Sequence, residues 1–254
     1  MIFVRAFRME WTKLRTVPST GWSLVALVGF GTALGAFALW SIGSTCEPTC
    51  DNDIPRIGLA GVYLSQLAVV AVASLAMTAE YETMLVRTTL AACPRRLTVL
   101  AAKAAVVIAV VLPASALSVL GSLAASRGIL AGTPYPQLSL ADGPVLRAFG
   151  GTVLYLGLIA LVGLGVGAMV RHTGGAISLV LGLLYVLPIV AQFVNPPWGA
   201  RIQKYSPMTA GLAIQATKDV EHLPIAPWPG LGVLCAYAAV AVIGGAVLFR
   251  QRDA

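Results

Sequence analysis

The sequence predicts an all-α membrane protein with six transmembrane helices, and three observations predict it. The first is composition: of 254 residues 58% are hydrophobic and only 11% charged, against roughly 25% charged in a soluble domain. At this length a soluble fold would be one domain or two, and 27 charged residues cannot cover such a surface. The second is the placement of those charges. Six windows, Thr16–Cys46, Ile57–Ala79, Ala104–Ser126, Ala148–Val170, Thr173–Ala200 and Leu223–Phe249, contain no Asp, Glu, Lys or Arg, and each is at least 23 residues long. About 20 apolar residues cross the hydrocarbon of a bilayer, and within lipid only a helix satisfies its backbone inside one segment. The third is asymmetry. With the N-terminus inside, the inner segments hold Arg5, Arg8, Lys13, Arg15, Arg87, Arg95, Arg96, Lys103, Arg171, Arg250 and Arg252, and the outer ones only Arg56, Arg127, Arg147, Arg201, Lys204 and Lys218. The positive-inside rule then predicts both termini in the cytoplasm. The net charge of +7 falls wholly on that side, where anionic headgroups account for it. No basic soluble module exists to bind nucleic acid.

Each element follows in order. Residues 2–16 read as an amphipathic helix, the core of an interfacial segment 2–18. Phe3, Phe7, Trp11 and Leu14 fall on one side, and Arg5, Arg8, Thr12 and Arg15 on the other, as in a helix lying at headgroup depth. Glu10 breaks the apolar arc. It either reaches back to water or is held by a basic group of another segment, with Lys103 and Arg87 as candidate partners. Pro18 and Gly21 then interrupt the chain. The first apolar window is too long for a cleaved signal peptide and precedes five more, so it reads as a retained helix.

Spans are expected at about 21–42, 59–79, 98–126, 147–170, 174–194 and 230–249, with Pro113 a kink site in the third. In the fourth, Gly163, Gly165 and Gly167 read as a flat small-residue face for close helix packing, not a nucleotide loop, because no soluble strand precedes them. The first outer loop carries Cys46-Glu-Pro-Thr-Cys50. A disulfide is permitted outside the membrane, and the spacing leaves open whether the two thiols pair. Glu47, Asp51 and Asp53 beside them lack the glycine and distal Glu of a calcium loop, so no metal site is expected. The loop 127–146, rich in Gly and Pro, reads as irregular. The long outer loop 195–229 contains Met208–Lys218, which reads as a short helix on, or dipping into, the outer leaflet.

Chemistry is sparse. No span has a charge near its centre, which argues against a proton- or sodium-coupled carrier and against a voltage sensor. Gln66, Ser115, Tyr155, Tyr185 and similar groups read as interhelical hydrogen bonds. Nothing suits a catalytic role: His172 and His222 stand alone, and neither a metalloprotease nor a serine-hydrolase string occurs. There is no Gly-x-x-x-x-Gly-Lys-Ser/Thr loop. Any ATP would have to be hydrolysed on another chain.

The segment 80–97 is the most charged. Glu80, Tyr81, Glu82 and Thr83 open it, as suits a helix N-terminus, where negative charge is favoured; Arg87, Thr88 and Pro94-Arg95-Arg96 follow. A helix over 80–90, crossways beneath the membrane, would offer polar side chains to a soluble partner. A solvated loop between two spans fits the spacing equally well.

Two strings carry a resemblance. Glu10-Trp11-Thr12-Lys13-Leu14-Arg15-Thr16 before the first span resembles the start of ABC-2 type transporter permeases, especially actinobacterial ones. Glu80-Tyr81-x-Thr83-x-x-x-Arg87-x-Thr89-Leu90, followed by Pro94-Arg95-Arg96 and Ala101-Ala102-Lys103-Ala104, resembles the same family. Met84 stands where the family usually has Gly. Span count and the long last outer loop also match, so the resemblance covers the chain. It implies a non-catalytic subunit of an ATP-binding-cassette exporter in the bacterial cytoplasmic membrane, with no cofactor of its own. ATP and Mg would sit on a separate P-loop ATPase, and a second permease copy, identical or not, would complete the assembly. Glu10, Trp11, Lys13 and Arg15 would belong to the elbow helix. Glu80, Tyr81, Glu82, Thr83, Arg87 and Thr88 would contact the ATPase through a coupling helix at 80–90. The resemblance does not imply a substrate. The alternative is a stand-alone secondary transporter or a small intramembrane enzyme; a structural assembly subunit is a third reading.

Overall fold

The computed structural model describes residues 2–45, 52–83, 85, 89, 95–131, 135 and 138–251. Among these the chain is mostly helical, without a strand. Six helices are long and apolar enough to cross a membrane, as the charge-free windows predict. They run as α2 (Pro18–Thr45), α4 (Val62–Glu82), α5 (Arg96–Leu130), α6 (Gly143–Val170), the sixth (α11, Pro227–Gln251), and between them a composite fifth span. That span is α7 (Thr173–Leu181), a π turn (Gly182–Val186) and α8 (Leu187–Phe193). Pro188 explains the change of pitch: it has no N–H to donate and its ring crowds the carbonyl four residues back. One wide turn inside the helix absorbs the misfit.

The helices outrun the hydrophobic windows. α5 has 35 residues, about 52 Å at 1.5 Å per residue, against about 30 Å of hydrocarbon. It continues unbroken through Pro113. The connections between the spans are also more ordered than expected. A short α3 (Ile54–Gly58) follows Asp53, whose carboxylate caps the Arg56 amide at 3.3 Å, with Pro55 in its first turn. The loop 195–229 holds α9 (Pro196–Tyr205), α10 (Pro207–Leu212) and a 3-10 turn Ala213–Gln215. The 207–216 stretch is buried in the bundle rather than lying on it. Ile214 packs on Gly151, Gly211 on the Tyr155 ring, and the Gln215 amide donates to Thr152 Oγ1 at 3.0 Å.

α6 is the hub, packed against α4, α5, α7 and α11, while α2 lies across α4 and α5. Burying apolar surface does not drive helices together in lipid, so close backbone approach must do so. A Cβ on Gly61 would collide with the Gly31 carbonyl, and one on Gly35 with that of Gly58. The Gly163, Gly165, Gly167 string does not make a single face. At 100° per residue positions two apart diverge: Gly163 and Gly167 meet Ala73, Ser74 and Met77 of α4, and Gly165 meets Ala241 of α11. The bundle surface is a skin of exposed Trp22, Phe37, Trp40, Leu117, Leu179, Phe193, Val240 and Ile243, which only lipid or another apolar surface would cover.

Candidate functional site

α1 (Ile2–Thr16) lies against α5 and touches the start of α2. Ala6, Glu10 and Leu14 form its buried stripe, four residues apart. Phe3 and Trp11 are exposed, and Phe7 stacks on Trp11 with ring centres 6.1 Å apart. The helix thus turns Glu10 inward and keeps its aromatic side outward.

Glu10, 1% exposed, reaches Lys103 of α5, itself 2% exposed. Glu10 Oε2 accepts from Lys103 Nζ at 2.7 Å. The same ammonium donates to Glu80 Oε1 of α4 at 2.7 Å and to the Ala76 carbonyl at 3.0 Å, which uses all three of its protons. Lys13 closes the ring from its exposed side: its Nζ donates to Glu80 Oε1 at 2.7 Å, Thr89 Oγ1 at 3.0 Å and Glu10 Oε1 at 3.4 Å. Two cations and two carboxylates thus form a neutral, saturated cluster joining α1, α4, α5 and Thr89. Burying such charges is costly unless each is paired and hydrogen-bonded, and here each is. Burial opposes the Lys13 charge, but the hydrogen bond to Glu80 and the Glu10 and Glu80 charges outweigh it and hold its pKa above the ordinary 10.5. Lys103 is tolerated because it lies only seven residues into α5, about 10 Å along the axis.

Glu80–Glu82 close α4 rather than opening a helix of their own: the α4 hydrogen bonds run through Glu82, with Thr83 as C-cap. Carboxylates at a helix C-terminus oppose its dipole, and their partners explain how they are accommodated. Three consecutive helical residues radiate 100° apart, and each holds a different element. Glu80 takes Lys13 and Lys103. The Tyr81 ring lies under the Arg171 guanidinium, 4.9 Å away, and Arg171 is the left-handed residue that ends α6 (φ 60°). Exposed Glu82 accepts the Thr173 amide at 3.0 Å, so its charge does sit at a helix N-terminus, that of α7. Thr78 and Thr173 hydroxyls add a bond at 2.7 Å, and His172 Nδ1 caps the Gly175 amide at 3.2 Å. The end of α4 is therefore fastened to α1, α5 and the α6–α7 turn.

An apolar cleft of about 360 Å³ opens beside the cluster, between α1, the start of α2 and the last turns of α4. Leu14, Val17, Val72, Leu75 and Ala79 line its walls, and Glu10, Lys13 and Glu80 lie at its polar edge.

Of the residues predicted to contact a partner, Glu80 and Tyr81 face inward and Glu82 and Thr83 outward. Trp11 and Arg15 are exposed on α1. Arg87, Thr88 and the Cys46–Cys50 pair lie outside the described residues. Among the described residues no group of His, Cys, Asp or Glu is placed to hold a metal.

Two further polar sites lie in the bundle, and the first joins Gln66, Tyr155 and Tyr185, which the sequence marks as interhelical hydrogen-bonding groups. Gln66 and Tyr155, both fully buried, meet with Tyr155 Oη donating to Gln66 Oε1 at 2.5 Å, and Gln66 Nε2 donates to Tyr185 Oη at 2.7 Å. Tyr185, on the π turn, donates in turn to the Tyr63 carbonyl. At the far end of the bundle Asp53 accepts from the Thr217 amide and hydroxyl, both at 2.6 Å, and from the Lys218 amide at 3.1 Å. Arg147 holds the Ala216 carbonyl at 2.6 Å. The signal for α3 was present, an Asp followed by Pro two residues on; the loop it grips had none. No protein-family model matches the chain, and no curated protein matches it.

Proposed function

We propose that the chain is the membrane-spanning permease subunit of an ATP-binding-cassette exporter, working as a pair of copies with a separate P-loop ATPase. Both termini and the ion cluster face the cytoplasm of a bacterial cell in this reading. α1 is the interfacial elbow, and the segment after Thr83 docks on the ATPase. The observation that carries the reading is the fastening of Glu80, Tyr81 and Glu82 to α1, α5 and the α6–α7 turn. A displacement delivered just beyond Thr83 is thereby shared among four transmembrane segments. A solvated loop would need no such anchorage. Within this reading Glu80 and Tyr81 are positioning residues, and Glu82, Thr83, Arg87 and Thr88 meet the partner.

The test is co-expression and co-purification with a candidate P-loop ATPase from the same organism. The reading predicts a stable complex with raised ATP hydrolysis, lost in the pair Glu82→Lys and Arg87→Glu. Unchanged recovery and hydrolysis in that pair would contradict it, as would transport by the chain alone driven by an ion gradient.

A further inference from the structure

The composite fifth span carries an open groove of about 400 Å³ that none of the polar contacts above uses. It runs from Ser178 past Leu183 and Val186 to Val190, and Ile202 of α9 forms a further wall. Two features open it. Gly182 begins the π turn, and a Cβ there would meet nothing within 4 Å. Unlike Gly61 or Gly165, it brings no second helix close, although a glycine inside a helix destabilises it relative to alanine. α9 then turns back on α8, with Gly199 against the carbonyls of Ala191 and Val194, which carries Ile202 over the groove.

The groove has an apolar body and a polar rim. From Ser178 to Val190 is about 18 Å along the axis, slightly more than one leaflet, half of about 30 Å of hydrocarbon. Ser178 is the only lining residue with a polar side chain. One turn before Ile202, Trp198 is exposed, and the Arg201 guanidinium lies over its ring, 5.2 Å from the centre. An indole and a cation at the end of an apolar run mark the boundary between hydrocarbon and headgroups. A guanidinium stacked on a ring face still presents its N–H edge, which matches the oxygens of a phosphate.

We propose that this groove seats one acyl chain of a phospholipid whose phosphate is held by Arg201 beside Trp198. The proposal rests on the spans and the groove, not on the permease reading.

The full chain, purified in mild detergent and stripped of lipid, is titrated with phosphatidylglycerol, and bound lipid is counted by native mass spectrometry. One tightly held lipid per chain is expected. Gly182→Leu fills the gap without a clash, so the thermal midpoint without lipid should not fall. The apparent affinity should fall about tenfold or more, the loss from unseating about two methylenes. Arg201→Gln, at an exposed residue, should weaken binding about fivefold, the worth of one arginine at an anionic surface. Arg201→Lys should keep part of it. Gly150→Leu, at an equally open glycine of α6, should bind as the wild type does. Equal losses in the two leucine variants would mean unspecific lipid and overturn the site. Full binding by Gly182→Leu would overturn it too. If the wild type is a dimer that Gly182→Leu splits while lipid binding is unchanged, the groove is a contact between copies and the lipid assignment fails.

Discussion

Glu80 and Gln66 sit on the same helix, 14 residues apart, about 21 Å along its axis, yet they solve the same problem differently. At Glu80, four full charges on three helices neutralise one another. At Gln66, one amide and two phenols do the joining without any charge. Charge explains the difference. An ion far inside a bilayer costs several kcal/mol even where it finds a partner, whereas Glu80 and Lys103 lie near helix ends, and Lys13 at the edge of the cluster is partly exposed. A neutral amide carries a much smaller penalty and needs no counter-charge. The same helix is thus fastened near one end by paired ions and near the other by neutral groups.

The largest effect should come from breaking the charged knot unevenly. Lys103→Met leaves Glu10 and Glu80 facing each other with Lys13 alone between them, and about 3–5 kcal/mol of stability should go, read by unfolding in a graded denaturing detergent. Gln66→Leu, equally buried, removes the hydrogen bonds to Tyr155 and Tyr185 and a long one to Met208 Sδ, but no charge. It should cost about 1–2 kcal/mol in the same assay. If the two losses are equal, charge is not what distinguishes the regions.

Much of this was legible from charge alone, and much was not. The six spans followed from windows without Asp, Glu, Lys or Arg. Their true ends did not, because hydropathy reports the thickness of lipid and not the length of helix: α5 begins at Arg96 and ends at Leu130. Glu10 stood out as a charge on an apolar arc, and Lys103 was one of two candidate basic partners on other segments. Lys13 as the second cation was missed, since it sits between the buried and exposed faces of α1. The Gln66–Tyr155–Tyr185 contact spans separations of 89 and 119 residues, and no local pattern encodes that. The π turn was equally hidden, although Pro188 marked the place.

A smaller effect is expected at the far end. Asp53→Asn weakens the grip on Thr217 and Lys218 and should cost roughly 1 kcal/mol. Its sharper signature is local: limited proteolysis should cut faster between Thr217 and Ile225, with the Glu80 region unaffected. The smallest effect is in pH. The folded pKa of Lys13 lies above its ordinary value of 10.5, so its stabilisation is complete below that value and fades as pH rises through the folded value. Unfolding followed from neutral to strongly alkaline pH should show this loss in the wild type and a shallower one in Lys13→Met.

The central claim is that Glu10 and Lys103 act as one buried unit that fixes α1 to the spans. A double-mutant cycle of Glu10→Gln and Lys103→Met, read by detergent unfolding, tests it most directly. The pair should be coupled by at least about 1 kcal/mol, with the double variant markedly more stable than the sum of the single losses predicts. Additive losses would contradict the claim.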